Sequence, residues 1–152
     1  MSIGTRRNTI TNVSNEVHPN CIVCSLANAR GLHLDFVSGD DGGITATFNY
    51  DEALEGYQGV MHGGVICSIL DGAMTHCMFA QGKTAVTAQM SIRFRHPILI
   101  RQMATVSAHI EKSCHPLYVV KSEIVQDSEI RATATGKFLD QPQLLIQWQD
   151  IL

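Results

Sequence analysis

The stretch Gly59–Gln81, GVMHGGVICSILDGAMTHCMFAQ, decides how the rest of the chain is read. From Val65 onward almost every residue is apolar or small: Val65, Ile66, Cys67, Ile69, Leu70, Ala73, Met74, Cys77, Met78, Phe79 and Ala80. They do not keep to one stripe, and a helix that is apolar all round is a buried one. From His62 to Ala80 such a helix runs about 28 Å at 1.5 Å per residue, enough to cross a small domain, and its start is too polar for a membrane span. Asp71 stands in the middle of it. An ionised carboxylate taken out of water there is costly unless it is paired, hydrogen-bonded or used in chemistry.

The start of this helix carries no Ser, Thr, Asp or Asn at Gly59, Val60, Met61 or His62. The usual side-chain cap is therefore expected to be missing, and His62-Gly63-Gly64 to leave the backbone bare. Free N–H groups at the positive end of the helix dipole favour an anion or a developing negative charge. Plain solvation by water is the alternative.

The 152 residues predict one domain with short tails, large enough to bury a core. Hydrophobic residues at 45% and charged ones at 16% exclude a disordered chain. A net charge of -3 argues against nucleic acid as a partner, because phosphate contacts need a basic surface. The opening MSIGTRRNTITNVSNEV has no apolar signal core, so a cytoplasmic location is expected, with no membrane association. Of the five cysteines, Cys67 and Cys77 read as small buried hydrophobes. Cys21 and Cys24 form a CxxC with His18 three residues earlier. A structural zinc site normally takes four ligands, and only His33 or His115 could complete one in space, so a plain turn is the preferred reading and no metal or cofactor is expected.

Along the chain, residues 1–20 read as a tail or a short packed-on helix, 21–140 as the folded domain and 141–152 as an amphipathic segment spacing Leu144, Leu145, Trp148, Ile151 and Leu152 at helical intervals. Leu32–Val37 and Ile44–Tyr50 alternate apolar and polar residues around the turn Ser38–Gly43, which predicts a hairpin. Gly82 is a natural stop for the helix. The runs Thr84–Phe94, Ala104–Glu111, Leu117–Val125 and Ile130–Leu139 read as further strands, joined closely enough for an antiparallel meander. One sheet covers only one side of a helix. A helix apolar all round needs its other flank buried too, so a homodimer at least is expected, with a homotetramer open.

The segment Gly59–Met74, with His-Gly-Gly followed by an acid nine residues after the histidine, resembles the signature of hotdog-fold acyl-CoA thioesterases of the PaaI-like kind. NCIVC…GLHLDF at the front resembles the lead-in of one branch of that superfamily, and the likeness covers roughly residues 21–139. It implies an α+β hotdog fold: an antiparallel sheet of about six strands wrapped around one long helix. The implied activity is hydrolysis of an acyl-CoA or aroyl-CoA thioester. Asp71 would serve as general base or nucleophile, the Gly63 N–H would polarise the thioester carbonyl, His62 would shape that end, and Thr87 would position the water or the acid. Gly64, Gln58, Ser68, Arg93 and Arg95 are the substrate-binding candidates, the arginines for the phosphates of coenzyme A. Burial beside apolar side chains would raise the pKa of a carboxylate toward the working range. The sites of such enzymes form across a dimer interface.

One position departs from the pattern. Where many PaaI-like members carry Asn, six residues before the histidine, this chain has Gly56; Gln58 or Glu55 could take over that contact. The departure leaves open a non-catalytic acyl-thioester-binding module. Asp71 has its own bland reading, a structural acid bonded to Ser68, Thr75 or a partner's backbone. His76, five residues after Asp71, falls off its face of the helix and reads as a packing residue.

Overall fold

The structure is a computed structural model that describes residue 10 and residues 13–143. Of the expected amphipathic segment at 141–152, residues 144–152 lie outside the described residues. Of the N-terminal segment, residues 13–17 are helical and Ile10 is buried in the core.

Six strands form one antiparallel sheet: β1 (Val37–Ser38), β2 (Ile44–Phe48), β3 (Ala85–Phe94), β4 (Ala104–Cys114), β5 (Leu117–Gln126) and β6 (Glu129–Asp140). Their order across the sheet is β1-β2-β4-β5-β6-β3. The meander β4-β5-β6 follows from short connections. At the β5–β6 turn Asp127 and Ser128 both take positive φ, the geometry that matches the twist of a two-residue hairpin. β2 and β5 alternate buried and more exposed residues along their length, so one face of the sheet is apolar. Leu32–Val37 is less of a strand than its alternation predicts. Only Val37 and Ser38 pair with β2, because the N–H groups of Leu32 and Leu34 turn instead to the carbonyls of Ile22 and Val23.

Helix α1 (Gly63–Ala80) crosses the apolar face. By length and composition it could cross a bilayer, but its apolar character is spent inside the sheet: every residue from Gly72 to Ala80 is buried. It stops as expected, with Gly82 at φ +68° and the Gly82 and Lys83 N–H groups closing on Phe79 and Met78 carbonyls. The first half differs from expectation. Gly64 is exposed and Cys67, Ser68 and Asp71 are only half-buried. Their spacing puts them on one flank, which the single sheet leaves uncovered. Cys77 is the buried hydrophobe expected, while Cys67 belongs to this open flank.

Two packing details fix the helix. Gly72 lies against the N-terminal strap: a Cβ there would fall 2.5 Å from Val23 Cγ1. His76 packs on Phe36, just before β1, and on Phe79 rather than pairing with the acid. Its ring stacks on Phe36 with centroids 4.2 Å apart, and its Nδ1–H donates to the Gly72 carbonyl at 2.8 Å. Burial pushes its pKa down to about 4.

Gly72→Ala should destabilise the fold by about 1–3 kcal/mol in urea unfolding, since the added methyl has to displace Val23. The histidine predicts a pH dependence. Between an ordinary pKa near ~6.5 and the folded value of about 4, the unfolded chain binds a proton that folded His76 refuses, so stability falls as pH drops through that window. Denaturation curves at pH 7 and pH 4.5 should converge for His76→Gln relative to the parent.

Candidate active site

The helix start is built by the loop before it. The Gly56 N–H bonds the Val60 carbonyl, the Met61 N–H bonds Ile98 and the His62 N–H bonds Leu54, so the chain enters α1 along a fixed path. Glu55 is tied into the same loop, its Oε2 accepting the Gly59 N–H at 2.9 Å. Gly59 turns the chain with φ +79°, a conformation a side chain would strain.

His62 is the N-cap, and here the structure corrects the expectation of an uncapped helix. Its Nδ1 accepts the Gly64 N–H at 2.9 Å, the bond that a Ser or Asp oxygen makes elsewhere. The ring works because residue 64 has no side chain: a Cβ there would lie 3.1 Å from Nδ1. Only the first amide of the pair remains open. Among the described residues the Gly63 N–H has no acceptor, and it stands at the positive end of α1. Gly56 sits under the imidazole, where a Cβ would be 3.2 Å from Cδ2 and 3.3 Å from the His62 Cα. A side chain at 56 would require the histidine to give way by a few tenths of an ångström.

Asp71 is held from the neighbouring strand. Thr87 Oγ1 donates to Asp71 Oδ1 at 2.6 Å. The two side chains named for a purely structural acid do not reach the carboxylate: the Thr75 hydroxyl donates to the Asp71 backbone carbonyl at 2.9 Å, and Ser68 donates to the Gly64 carbonyl at 3.0 Å. Thr87 reaches α1 because of a bulge. The β3–β6 register shifts between Thr87 and Gln89, so Ala88 is an extra residue. Strict alternation would put Thr87 on the face of Arg93 and Arg95. The bulge turns it to the helix side, with Met90, Ile92 and Phe94, and leaves the arginines outside.

Arg93 and Arg95 accordingly line a shallow groove of about 230 Å³ with Ser91, Thr133, Ala134 and Thr135, on the face of the sheet away from α1. Arg101, a further arginine of the sequence, is engaged by Glu52 at 2.5 Å. Gln58 is exposed at the loop tip. Two aromatics that the sequence does not single out stand at the helix start. Tyr57 is 89% exposed, and the Phe94 ring, 54% exposed, lies 3.8 Å from where a Gly63 Cβ would be. Gly56, Tyr57, Met61, His62 and Gly63 enclose a cleft of about 410 Å³. An aromatic inside the otherwise polar loop Asp51–Gln58 was the available signal for Tyr57; Phe94 reads as an ordinary strand residue.

The two chemical features are separated within one chain. Gly63 and Asp71 are eight residues apart on α1, about 12 Å along its axis. An oxyanion donor and an attacking or activating carboxylate both have to lie near one carbonyl group. Within one copy no single carbonyl group reaches both.

Comparison with known proteins extends the reading. The sequence description of the thioesterase superfamily matches residues 58–132, which include the helix, Thr87 and the bulge. The acyl-coenzyme A thioesterase PaaI of Escherichia coli is 29% identical over 104 residues, covering 68% of this chain and 74% of that protein. Its solved structure superposes with a TM-score of 0.76 at 23% identity, over 92% of this chain and 96% of that one. The acyl-coenzyme A thioesterase THEM4 of Bos taurus is 25% identical over 120 residues; the match takes in 72% of this chain but 47% of the bovine protein, so the chain spans about half the length of that relative. A Streptococcus mutans structure, smu.793 bound to acetyl CoA, superposes with a TM-score of 0.67 at 22% identity, over 72% of this chain and 89% of that one. A long helix crossing a six-stranded antiparallel sheet is the hotdog fold of these neighbours, and over residues 58–132 the chain matches the thioesterase superfamily.

Proposed function

We propose that this chain hydrolyses an acyl-CoA or aroyl-CoA thioester to the free acid and coenzyme A, at sites formed between two copies. The observation that carries the reading is Asp71, a carboxylate in the middle of α1, fixed by the Thr87 hydroxyl on an otherwise uncovered flank. Thr87 orients one carboxylate oxygen and leaves the other for a water or for the thioester carbon. Asp71 removes a proton from the attacking water, or attacks the carbonyl carbon itself and is freed by hydrolysis of the anhydride. Either route passes through a tetrahedral oxyanion. The open Gly63 N–H at the helix start suits that charge, with coenzyme A leaving as thiolate. The names of the PaaI and THEM4 relatives and the acetyl CoA in the smu.793 structure supply the substrate class.

A second copy supplies the missing half. β3 is an edge strand whose residues are mostly exposed, with Val86 and Phe94 among them. A long unpaired edge with apolar side chains is a template for another strand. Pairing two β3 edges antiparallel, about a twofold axis, brings the open flank of each α1 toward the other and sets Gly63 of one copy near the other copy's Asp71. The cleft of Tyr57 and Met61 beside Gly63 then borders the acyl group. The outer groove with Arg93 and Arg95 offers charge for the coenzyme A phosphates only from the sheet's far side, so these arginines serve substrate at the rim or through a further copy in a tetramer. Gly56, with no amide to offer, supports the second reading, a module that binds acyl thioesters without turning them over; the same assays separate the two.

Asp71→Asn should lower kcat for acyl-CoA hydrolysis by about 10²–10⁴, read as thiol release from a panel of acyl- and aroyl-CoAs. Equal release by parent and variant would remove Asp71 from the mechanism, and binding without release by both would establish the binding module. Thr87→Val should cost roughly 10- to 100-fold in kcat, with Thr87→Ser recovering most of it, since the hydroxyl rather than the methyl holds the acid. Gly63→Pro deletes a single N–H at the first helical position, where proline is tolerated, and should cost about 10²–10³ in kcat. Co-expressed Asp71→Asn and Gly63→Pro chains should return about a quarter of parent activity if sites are shared between copies, because half the dimers are mixed and each restores one of two sites. Sites contained within one chain would give none.

A further inference from the structure

Away from Asp71, the strap that packs on α1 gathers three soft donors. One ring nitrogen of His18 and the sulfurs of Cys21 and Cys24 all lie within 4.8 Å of one another. Two backbone bonds fold the segment so that these side chains share a side: the Cys21 N–H to the His18 carbonyl, and the Ser25 N–H to the Cys21 carbonyl at 3.0 Å. The Val23 N–H donates to Cys21 Sγ at 3.3 Å, the kind of contact that favours a charged sulfur. Both thiols are free, and Ser14 Oγ stands 3.6 Å from Cys24 Sγ. His18 supplies an independent sign. Its Nδ1 is buried and has no hydrogen-bond partner among the described residues, although its ring is wedged edge-on against Phe79. An imidazole whose buried Nδ1 has no hydrogen-bond partner, with a ring nitrogen within reach of two sulfurs, is a donor set that a soft cation would complete.

We propose that His18, Cys21 and Cys24 bind one zinc ion as a three-ligand site whose fourth position opens to the adjoining cleft. That cleft, about 660 Å³, is bordered by His18 and Cys24 and has room for a water ligand. One imidazole and two thiolates are a borderline-soft set that zinc favours over magnesium or calcium, and tetrahedral geometry needs only modest closure from 4.8 Å. Each thiol gives up its proton to solvent as the metal binds. His33 borders the same cleft but is occupied with the Asn28 carbonyl, and His115 pairs with Asp140 elsewhere. The site therefore differs from the four-ligand zinc centre that the sequence fails to complete.

The position gives the ion a task. Val23, between the two cysteines, is the residue pressed on Gly72, next in sequence to Asp71. Its carbonyl takes the Leu34 N–H at 2.9 Å, which ties the strap to the lead-in of β1. Zinc would hold this knuckle closed and thereby hold the wall behind the middle of α1. The inference stands on the strap's own geometry and does not depend on the proposed hydrolysis.

The test uses the full chain, reduced and stripped of metal, titrated with zinc chloride against a chromophoric indicator and separately with cobalt chloride. The expected result is one equivalent bound, a thiolate-to-cobalt charge-transfer band, and a melting midpoint raised by about 5–10 °C at zinc concentrations ~100 times Kd. Cys21→Ser, Cys24→Ser and His18→Ala should each weaken zinc binding by at least ~100-fold, while Cys114→Ser, at an exposed thiol outside the cluster, should bind as the parent does. Should the strap variants fail to fold, the parent alone decides: zinc should shield two thiols from a disulfide reagent and chelation should release them. A reduced parent that leaves zinc and cobalt in solution overturns the proposal. So does one in which the only chemistry at Cys21 and Cys24 is loss of two hydrogens to a disulfide, or in which binding disappears with Cys114→Ser.

Discussion

Asp71 is the only carboxylate on α1, and the helix that carries it is otherwise built for the interior. Removing that charge from water is affordable only if something else solvates it. The structure meets this constraint with an uncovered flank and one short bond from Thr87. Everything around the acid is arranged to make that bond: α1 crosses the apolar face of the sheet at β4 and β5, and β3 comes last in the strand order, alongside α1 rather than beneath it. The extra residue at Ala88 then turns Thr87 toward the helix. A β-bulge that re-aims one side chain is a local irregularity with a chemical consequence.

The other end of the helix solves a related problem differently. Four N–H groups at a helix start need partners. His62 satisfies one with its own ring, and its neighbours at 56 and 64 are both glycine: each yields the space that the imidazole fills. The Gly63 N–H is left over. A capping histidine thus concentrates the unpaired donor character of the terminus into one amide at the cleft lined by Tyr57 and Met61. The distance along α1 from that amide to Asp71 is too long for one carbonyl to touch both, so a second copy is part of the chemistry proposed, and not only of the packing.

The strap from His18 to Leu34 adds a layer behind the helix. It packs on the helix through Val23 on Gly72, and Phe36, just beyond it, stacks on His76. His76 is consequently a neutral packing group whose donor bonds the helix backbone. His18 and Cys24 also border a cleft, while the His18 ring packs edge-on against Phe79 and both cysteines pack on the core, so the soft-donor cluster sits beside the core packing in one short segment.

Much of this was legible in residue order. The all-round apolar run, Gly82 as its stop, the alternation in β2 and β5 and the short turns of the meander follow from periodicity and turn chemistry, which are properties of neighbouring residues. Asp71 stood out because a charge in such a run is a local contradiction, and the resemblance carried by His62-Gly63-Gly64 named Thr87 as its helper. What needed the tertiary structure was everything that depends on approach between distant segments. No local rule makes a histidine a cap, places the Ala88 bulge that separates Thr87 from Arg93 and Arg95, shortens β1 by lending Leu32 and Leu34 to the strap, or brings the His18 nitrogen up to two sulfurs. Sequence fixes which groups a chain owns and the period at which it shows them; which of them meet is decided by register and close packing, where one inserted residue or one missing Cβ changes the outcome.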